Sequence, residues 1–180
     1  MNAAAIRALV VSSLKGQTMA GERVYSPRDW PTSSTDYPVL LVQTPYDEKH
    51  SMGRNVPQFT TITTIRISGR VEAFDGDELD GAIRAEADLE TLREQIDRAI
   101  VNSYELTKNT QQLKNIRSAL EVSADGEGHT GQITYEIDAE YFQGPDDFHP
   151  ITPTPIDEMK ITVDMPDGTP KPVIVIPLKE

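Results

Sequence analysis

The chain has 180 residues, 37% hydrophobic and 26% charged, with a formal net charge of −12 and no cysteine. That length supports a hydrophobic core without covalent staples, and the missing cysteines exclude disulfides and thiolate metal sites. The acidic balance argues against a DNA-gripping surface, which is normally basic, and solubility alone accounts for much of it.

Residues 2–15 read as a short helix, with Ile6, Leu9, Val10 and Leu14 on one face and Gly16 as its stop. The segment lacks a basic leader and its apolar residues are spaced, so it is not read as a signal peptide. No stretch approaches the roughly 20 apolar residues of a membrane span, and the protein is expected in the cytoplasm where it is made. Residues 23–26 read as a short extended piece. Pro27, Trp30, Pro31 and Pro38 bound a polar loop, in which Trp30 with Tyr25 is either a contact surface or a pin to the core. Residues 39–43 predict a buried strand closed by Pro45.

Residues 46–58 are polar, carry Gly53 and Pro57, and predict a long loop. Residues 59–74 are the clearest strand. Phe59, Thr61, Thr63, Ile65, Ile67, Gly69, Val71 and Ala73 mark a core face, and Thr60, Thr64, Arg66, Ser68, Arg70 and Glu72 a wet one. Its length predicts a bend or bulge near Gly69. An acidic turn over 75–81 leads to an amphipathic helix over 84–104, with Ala85, Leu89, Leu92, Ile96, Ile100 and Tyr104 in one stripe and a Glu94–Arg98 pair on the surface.

Residues 116–124 predict a strand with Ser118, Leu120, Val122 and Ala124 on one face. Residues 133–142 predict another, with Ile133, Tyr135, Ile137, Ala139 and Tyr141 facing in. Residues 125–131 between them predict a flexible hairpin loop. Composition shifts at Gly144: eight of the 13 prolines fall in 145–180. Residues 145–157 read as an extended linker. Weak alternation over 159–165, a turn at Asp167-Gly168 and an apolar run over 173–178 predict a C-terminal hairpin. The expected fold is α+β: an antiparallel or mixed sheet with two helices packed on one face over residues 1–144, and a Pro-rich linker and β-hairpin arm over 145–180.

Few residues carry chemistry. His50, His129 and His149 have no metal-ligand spacing and read as loop histidines. Counting Asp75 as the first position of a calcium loop places Asp77 and Glu86 at ligand positions, but Leu79 occupies another and Asp80 stands where glycine is needed. Acidic residues at a helix N-terminus explain the same run through the helix dipole. No phosphate-cradling glycine loop or nucleophile elbow is present, and Ser12, Ser13, Ser33 and Ser34 have no partner arrangement. No catalytic, cofactor or metal residue is therefore assigned, and a non-enzymatic role is expected.

The organisation resembles the tail terminators of tailed bacteriophages, the minor tail protein U class. The likeness runs over about residues 1–143: the N-terminal helix over 3–15 followed by Arg23-Val24-Tyr25, the strand Tyr37-Pro38-Val39-Leu40-Leu41-Val42, a loop and the long strand over 62–74, the helix over 86–104, and a hairpin ending in Tyr135-Glu136-Ile137-Asp138-Ala139-Glu140-Tyr141. The resemblance implies a structural subunit of a hexameric ring that ends tail-tube polymerisation and meets the head connector or stopper protein. It implies no cofactor and no membrane. Six such chains would carry roughly −70 charges, so DNA would pass the channel without specific binding. Contacts with neighbouring subunits or partners are expected at His50, Met52 and Arg54 in the first loop, at Asp125, Glu127 and His129 in the second, and at Ile161, Val163, Val173 and Val175 in the arm. The competing readings are another neck or head–tail completion protein, a small ligand- or calcium-binding module or hydrolase, and a secreted adhesin or carbohydrate-binding module.

Overall fold

Helix α1 (Ala3–Leu14) begins where the Asn2 side chain accepts a hydrogen bond from the Ala5 amide at 2.9 Å. Its apolar spacing buries Ile6, Val10 and Leu14 completely, and the chain leaves it through Gly16 at φ +67°, a left-handed conformation suited to glycine. The computed structural model describes residues 1–26, 36–54, 57–76, 80–125, 128–149, 158–162 and 173–177. Trp30, Asp77, Leu79, Glu127 and Val163, and the turn expected at Asp167-Gly168, lie outside the described residues.

Strands β1 (Val24–Tyr25), β2 (Val39–Ser51), β3 (Phe59–Phe74), β4 (Gln112–Asp125) and β5 (Gly128–Gln143) form one sheet in the order β1-β2-β3-β5-β4. All neighbours are antiparallel except β1 and β2, which run parallel. The predicted alternation of β3 holds: Thr61, Thr63, Ile65, Ile67, Val71 and Ala73 are buried. On β5, Ile133, Tyr135, Ile137, Ala139 and Tyr141 are buried likewise. Helix α2 (Gly81–Val101) lays Ala85, Leu89, Leu92, Ile96 and Ile100 on this face, in one core with the apolar stripe of α1. The fold is thus α+β with its main helices on one side of a mixed sheet.

Several local expectations are corrected. Strand β2 does not close at Pro45 but continues to Ser51, pairing Tyr46 with Thr64 and Ser51 with Phe59. Pro45 is accommodated because the register shifts between Gln43 and Tyr46, and a bulge tolerates a residue without an amide donor. Residues 46–51 of the loop expected over 46–58 are therefore strand. The bulge thought to lie near Gly69 is this one, on the neighbouring strand, and β3 pairs with β5 without interruption. Gly69 serves a different purpose. A Cβ there would lie 2.7 Å from Ile133 Cγ2 and 2.8 Å from Leu40 Cδ2, so its hydrogen lets the core close over the sheet.

The second predicted loop is also mostly strand. His129, Thr130 and Gly131 pair with Ala73, Glu72 and Val71 on one side and with β4 on the other, and the hairpin closes at the Asp125–Gly128 pair. The helix predicted to reach Tyr104 ends at Val101. Ser103 caps a new short helix, α3 (Tyr104–Asn109), accepting from the Leu106 amide at 3.3 Å. Leu106 is buried and Tyr104 is 72% exposed, so Tyr104 leaves the core stripe. The ion pairs on α2 are Arg84–Asp80 and Arg93–Glu90 rather than Glu94–Arg98. Strand β4 starts earlier than expected, at Gln112, because Asn115 at φ +53° and a register shift between Lys114 and Arg117 insert a bulge.

The chain separates into two compact units, residues 1–148 and 149–180. The start of the expected linker is instead a helical turn, α4 (Pro145–Phe148), whose Phe148 ring meets Phe59 edge to face with centroids 5.5 Å apart. In the second unit β6 (Glu158–Thr162) and β7 (Val173–Pro177) form the predicted hairpin, antiparallel, with Ile161 opposite Ile174.

Candidate interaction surfaces

The in-facing side of the sheet carries two chemistries. Under α2 it is apolar. At the end formed by Phe59–Thr63 and Tyr141–Gln143 it is polar and nearly dry: Thr61 and Thr63 are fully buried, and Gln143 is 4% exposed. Thr61 Oγ1 and Lys49 Nζ donate to Gln143 Oε1 at 2.8 and 2.7 Å, and Gln143 Nε2 donates to the Met1 carbonyl at 2.6 Å. Thr63 Oγ1 donates to Asp47 Oδ1 and lies 3.0 Å from the Tyr141 hydroxyl. Burial pushes the Tyr141 pKa up, and the Asp47 carboxylate adds to that shift. Tyr141 is therefore protonated and acts as a hydrogen-bonding strut. Asp147 receives the Met1 ammonium and the Gly144 amide, both of which hold its carboxyl below the usual range. The network is closed on itself, and each polar group in it has a partner.

The out-facing side is a charged ladder. Glu136 lies between Arg66 and Arg117, each 2.7 Å away. Hydrogen bonds first from Arg66 and then from Arg117 depress its pKa. Lys114 meets Glu140 at 2.6 Å, and Thr64 and Asn115 both donate to Asp138. Opposite charges on neighbouring strands stabilise a sheet pair by cross-strand contact and keep this face wet.

The structure separates the contact residues predicted from sequence. His50 stands on β2, 58% exposed at its side chain, with Nε2 3.5 Å from Glu48. Met52 and Arg54 are exposed just beyond β2, and the Met52 amide donates to the Gln58 carbonyl at 2.9 Å. Asp125 ends β4. His129 is a correction: it is a half-buried strand residue and not a loop residue. Its Nε2 is 3.2 Å from Asp75 Oδ1, an oxygen that also accepts the Gly81 amide at 2.9 Å. A Cβ on Gly81 would come 2.5 Å from the His129 ring, so His129 packs inside its own subunit, under the start of α2. The bond from Gly81 is the first cause of the lowered Asp75 pKa, and the contact with His129 follows. This agrees with the helix-start reading of the acidic run. Among the described residues no group of three or more histidines and carboxylates is placed to hold a metal ion.

The hairpin has two different faces. Met159, Ile161, Ile174 and Ile176 share one, and Glu158, Lys160, Thr162, Val173, Val175 and Pro177 share the other. The register thus parts Ile161 from Val173 and Val175, and gives it Met159, Ile174 and Ile176 as companions. Those four apolar side chains are 41–57% exposed. Sequence reading missed three of them because face membership follows from the pairing register, which a chain of two short strands leaves open.

A depression between α1 and α2 is lined by Ser13, Gln95, Arg98 and Ser103, and the Ser13 and Ser103 hydroxyls lie 2.6 Å apart. No histidine or carboxylate joins them there to activate a nucleophile. Among the described residues no helix is long and apolar enough to cross a membrane. No protein-family model matches the chain, and no curated protein is similar to it in sequence.

Proposed function

We propose that the chain is a structural assembly subunit, a tail-terminator-like ring protein of a tailed bacteriophage that ends tail-tube growth and joins the tail to the head connector. The observation that carries this reading is the hairpin. A two-stranded hairpin is marginal in water, yet this one presents Met159, Ile161, Ile174 and Ile176 on one face without cover. Such a face is stabilised by a partner surface and marks an arm that engages another protein. The α+β body with a wet outer sheet face is the kind of subunit the sequence resemblance implies. The side-chain clusters described above serve packing and charge pairing, which fits a role without catalysis. In this reading the chain forms a homo-oligomeric ring, meets the tail tube protein and the connector, and passes DNA without specific binding.

The test is assembly in solution and on tubes. Negative-stain microscopy of the purified chain, alone and with its phage's tail tube protein, should show closed rings or capped tubes. Deleting 145–180 should weaken assembly while the body keeps its circular dichroism and melting transition. Uncapped tubes and no ring under either condition would overturn the ring reading, and unchanged assembly by the deletion variant would overturn the arm.

A further inference from the structure

Among the described residues the five-stranded sheet has two edges without a pairing strand along most of their length, and they are protected unequally. Beyond its short pairing with β1, the β2 edge carries Pro45, a bulge and Lys49. The first part of the β4 edge carries Lys114 and the bulge at Asn115. Proline, lysine and bulges are the devices that stop an edge from pairing with another chain. Residues 118–124, Ser-Ala-Leu-Glu-Val-Ser-Ala, have none of them. Ser118, Ala119, Glu121, Val122 and Ser123 are exposed, and the small side chains at 118 and 119 offer no bulk against an approaching strand.

This edge is complementary to itself. If two copies pair antiparallel about Ala119, Arg117 of each copy, where the regular ladder resumes after the bulge, lies opposite Glu121 of the other. Ser118 meets Leu120, and Ala119 meets Ala119. Arg117 remains 63% exposed at its side chain while it holds Glu136. Glu121 has no hydrogen-bond or ion-pair partner among the described residues. One register therefore gives two ion pairs, each drawn from groups that lack full cover in the single chain. Neighbouring registers lose this match: centring on Glu121 sets Glu121 against itself, and centring on Leu120 sets Arg117 against Ser123.

We propose that two copies of this chain associate through residues 117–121 of β4, as an antiparallel strand pair with a two-fold axis at Ala119. A two-fold contact closes on itself, so it covers the unprotected edge without propagating a filament. Five residues a side fall short of the roughly 20–30 a side of a stable interface, so the dimer is weak and concentration-dependent. The inference does not rest on the ring reading, because it concerns an edge pair rather than the arm.

The experiment is sedimentation velocity of the full chain over a concentration series, with charge swaps. Glu121→Arg should weaken dimerisation at least about tenfold, the equivalent of roughly 1.4 kcal/mol, because it sets like charges opposite each other. Arg117→Glu should weaken it as well. The double variant Arg117→Glu with Glu121→Arg should restore it, since the swapped charges still meet. The chain has no cysteine of its own, so Ala119→Cys should form an intermolecular disulfide on oxidation, its two copies being about 5 Å apart at Cα. Ser123→Cys should not, because its two copies would sit about 26 Å apart. A chain that stays monomeric throughout, a Glu121→Arg variant that dimerises like the parent, or a double variant that stays as weak as the singles would overturn the proposal. Rings or capped tubes that persist in Glu121→Arg would leave the tail-terminator reading standing by itself.

Discussion

The body and the arm obey the same alternation and end in opposite states. On β3 from Ile65 to Ala73 and on β5 from Gly131 to Ala139, every second residue is apolar, aromatic or small, and those residues are buried in the core with α1 and α2. On β6 and β7 the alternate residues Met159, Ile161, Ile174 and Ile176 are as apolar, and they remain open to solvent. Period-two patterning states that a face needs cover, not where the cover comes from. In the body the chain supplies it. In the arm the two strands do not supply it, and the proposed function assigns that cover to a second molecule.

That difference can be broken from the body's side first. Leu92→Ala removes a fully buried side chain between α2 and the sheet and should cost about 3 kcal/mol in urea-unfolding free energy. Gly69→Ala forces a methyl group against Ile133 and Leu40 and should cost about 2 kcal/mol by the same measurement. Tyr135→Phe deletes the hydroxyl that donates to Asp97 at 2.6 Å. The cost should be about 1 kcal/mol, and the tyrosine's raised pKa, due first to burial and then to Asp97, should vanish from an alkaline ultraviolet titration.

Acid should act more gently. Glu136, Asp75 and Asp147 all titrate below their ordinary values of 4.5, 3.8 and 3.8 in the folded chain. The unfolded chain therefore takes up these protons first. Their contribution is complete above about pH 4.5 and fades as pH falls through the lower folded values. Glu136→Gln should flatten this acid limb in melting curves taken at stepped pH. The smallest effect is expected in the arm. Ile161→Ser with Ile174→Ser should leave the body's melting transition within about 0.5 kcal/mol of the parent while weakening assembly. A body destabilised as much as by Leu92→Ala would erase the distinction between the two regions.

Much of the body was legible because its signals were local. The long strand over 59–74 and the stripe from Ala85 to Ile100 are periodic enough to specify both element and face. The errors fell where tertiary pairing overrides a local signal. Pro45 reads as a strand end, but a bulge on an edge absorbs it. The glycines around His129 read as a loop, yet partners on both sides hold that stretch in β5. Asn102-Ser103 does carry a readable cue, a serine before Glu105, for a second helix start. The network that ties exposed Asp47 to buried Thr61, Thr63, Tyr141 and Gln143 carries no such cue, because its members come from distant segments. The C-terminal hairpin was legible as a pair of strands, while the apolar face it presents emerged only from the β6–β7 register.

The most direct test of the assembly role is electron microscopy of lysates from a phage whose copy of this gene is disrupted. The account predicts DNA-filled heads beside overlong or unjoined tails. Fully normal particles would contradict it, and tails of normal length that fail to join would move the chain to head–tail completion.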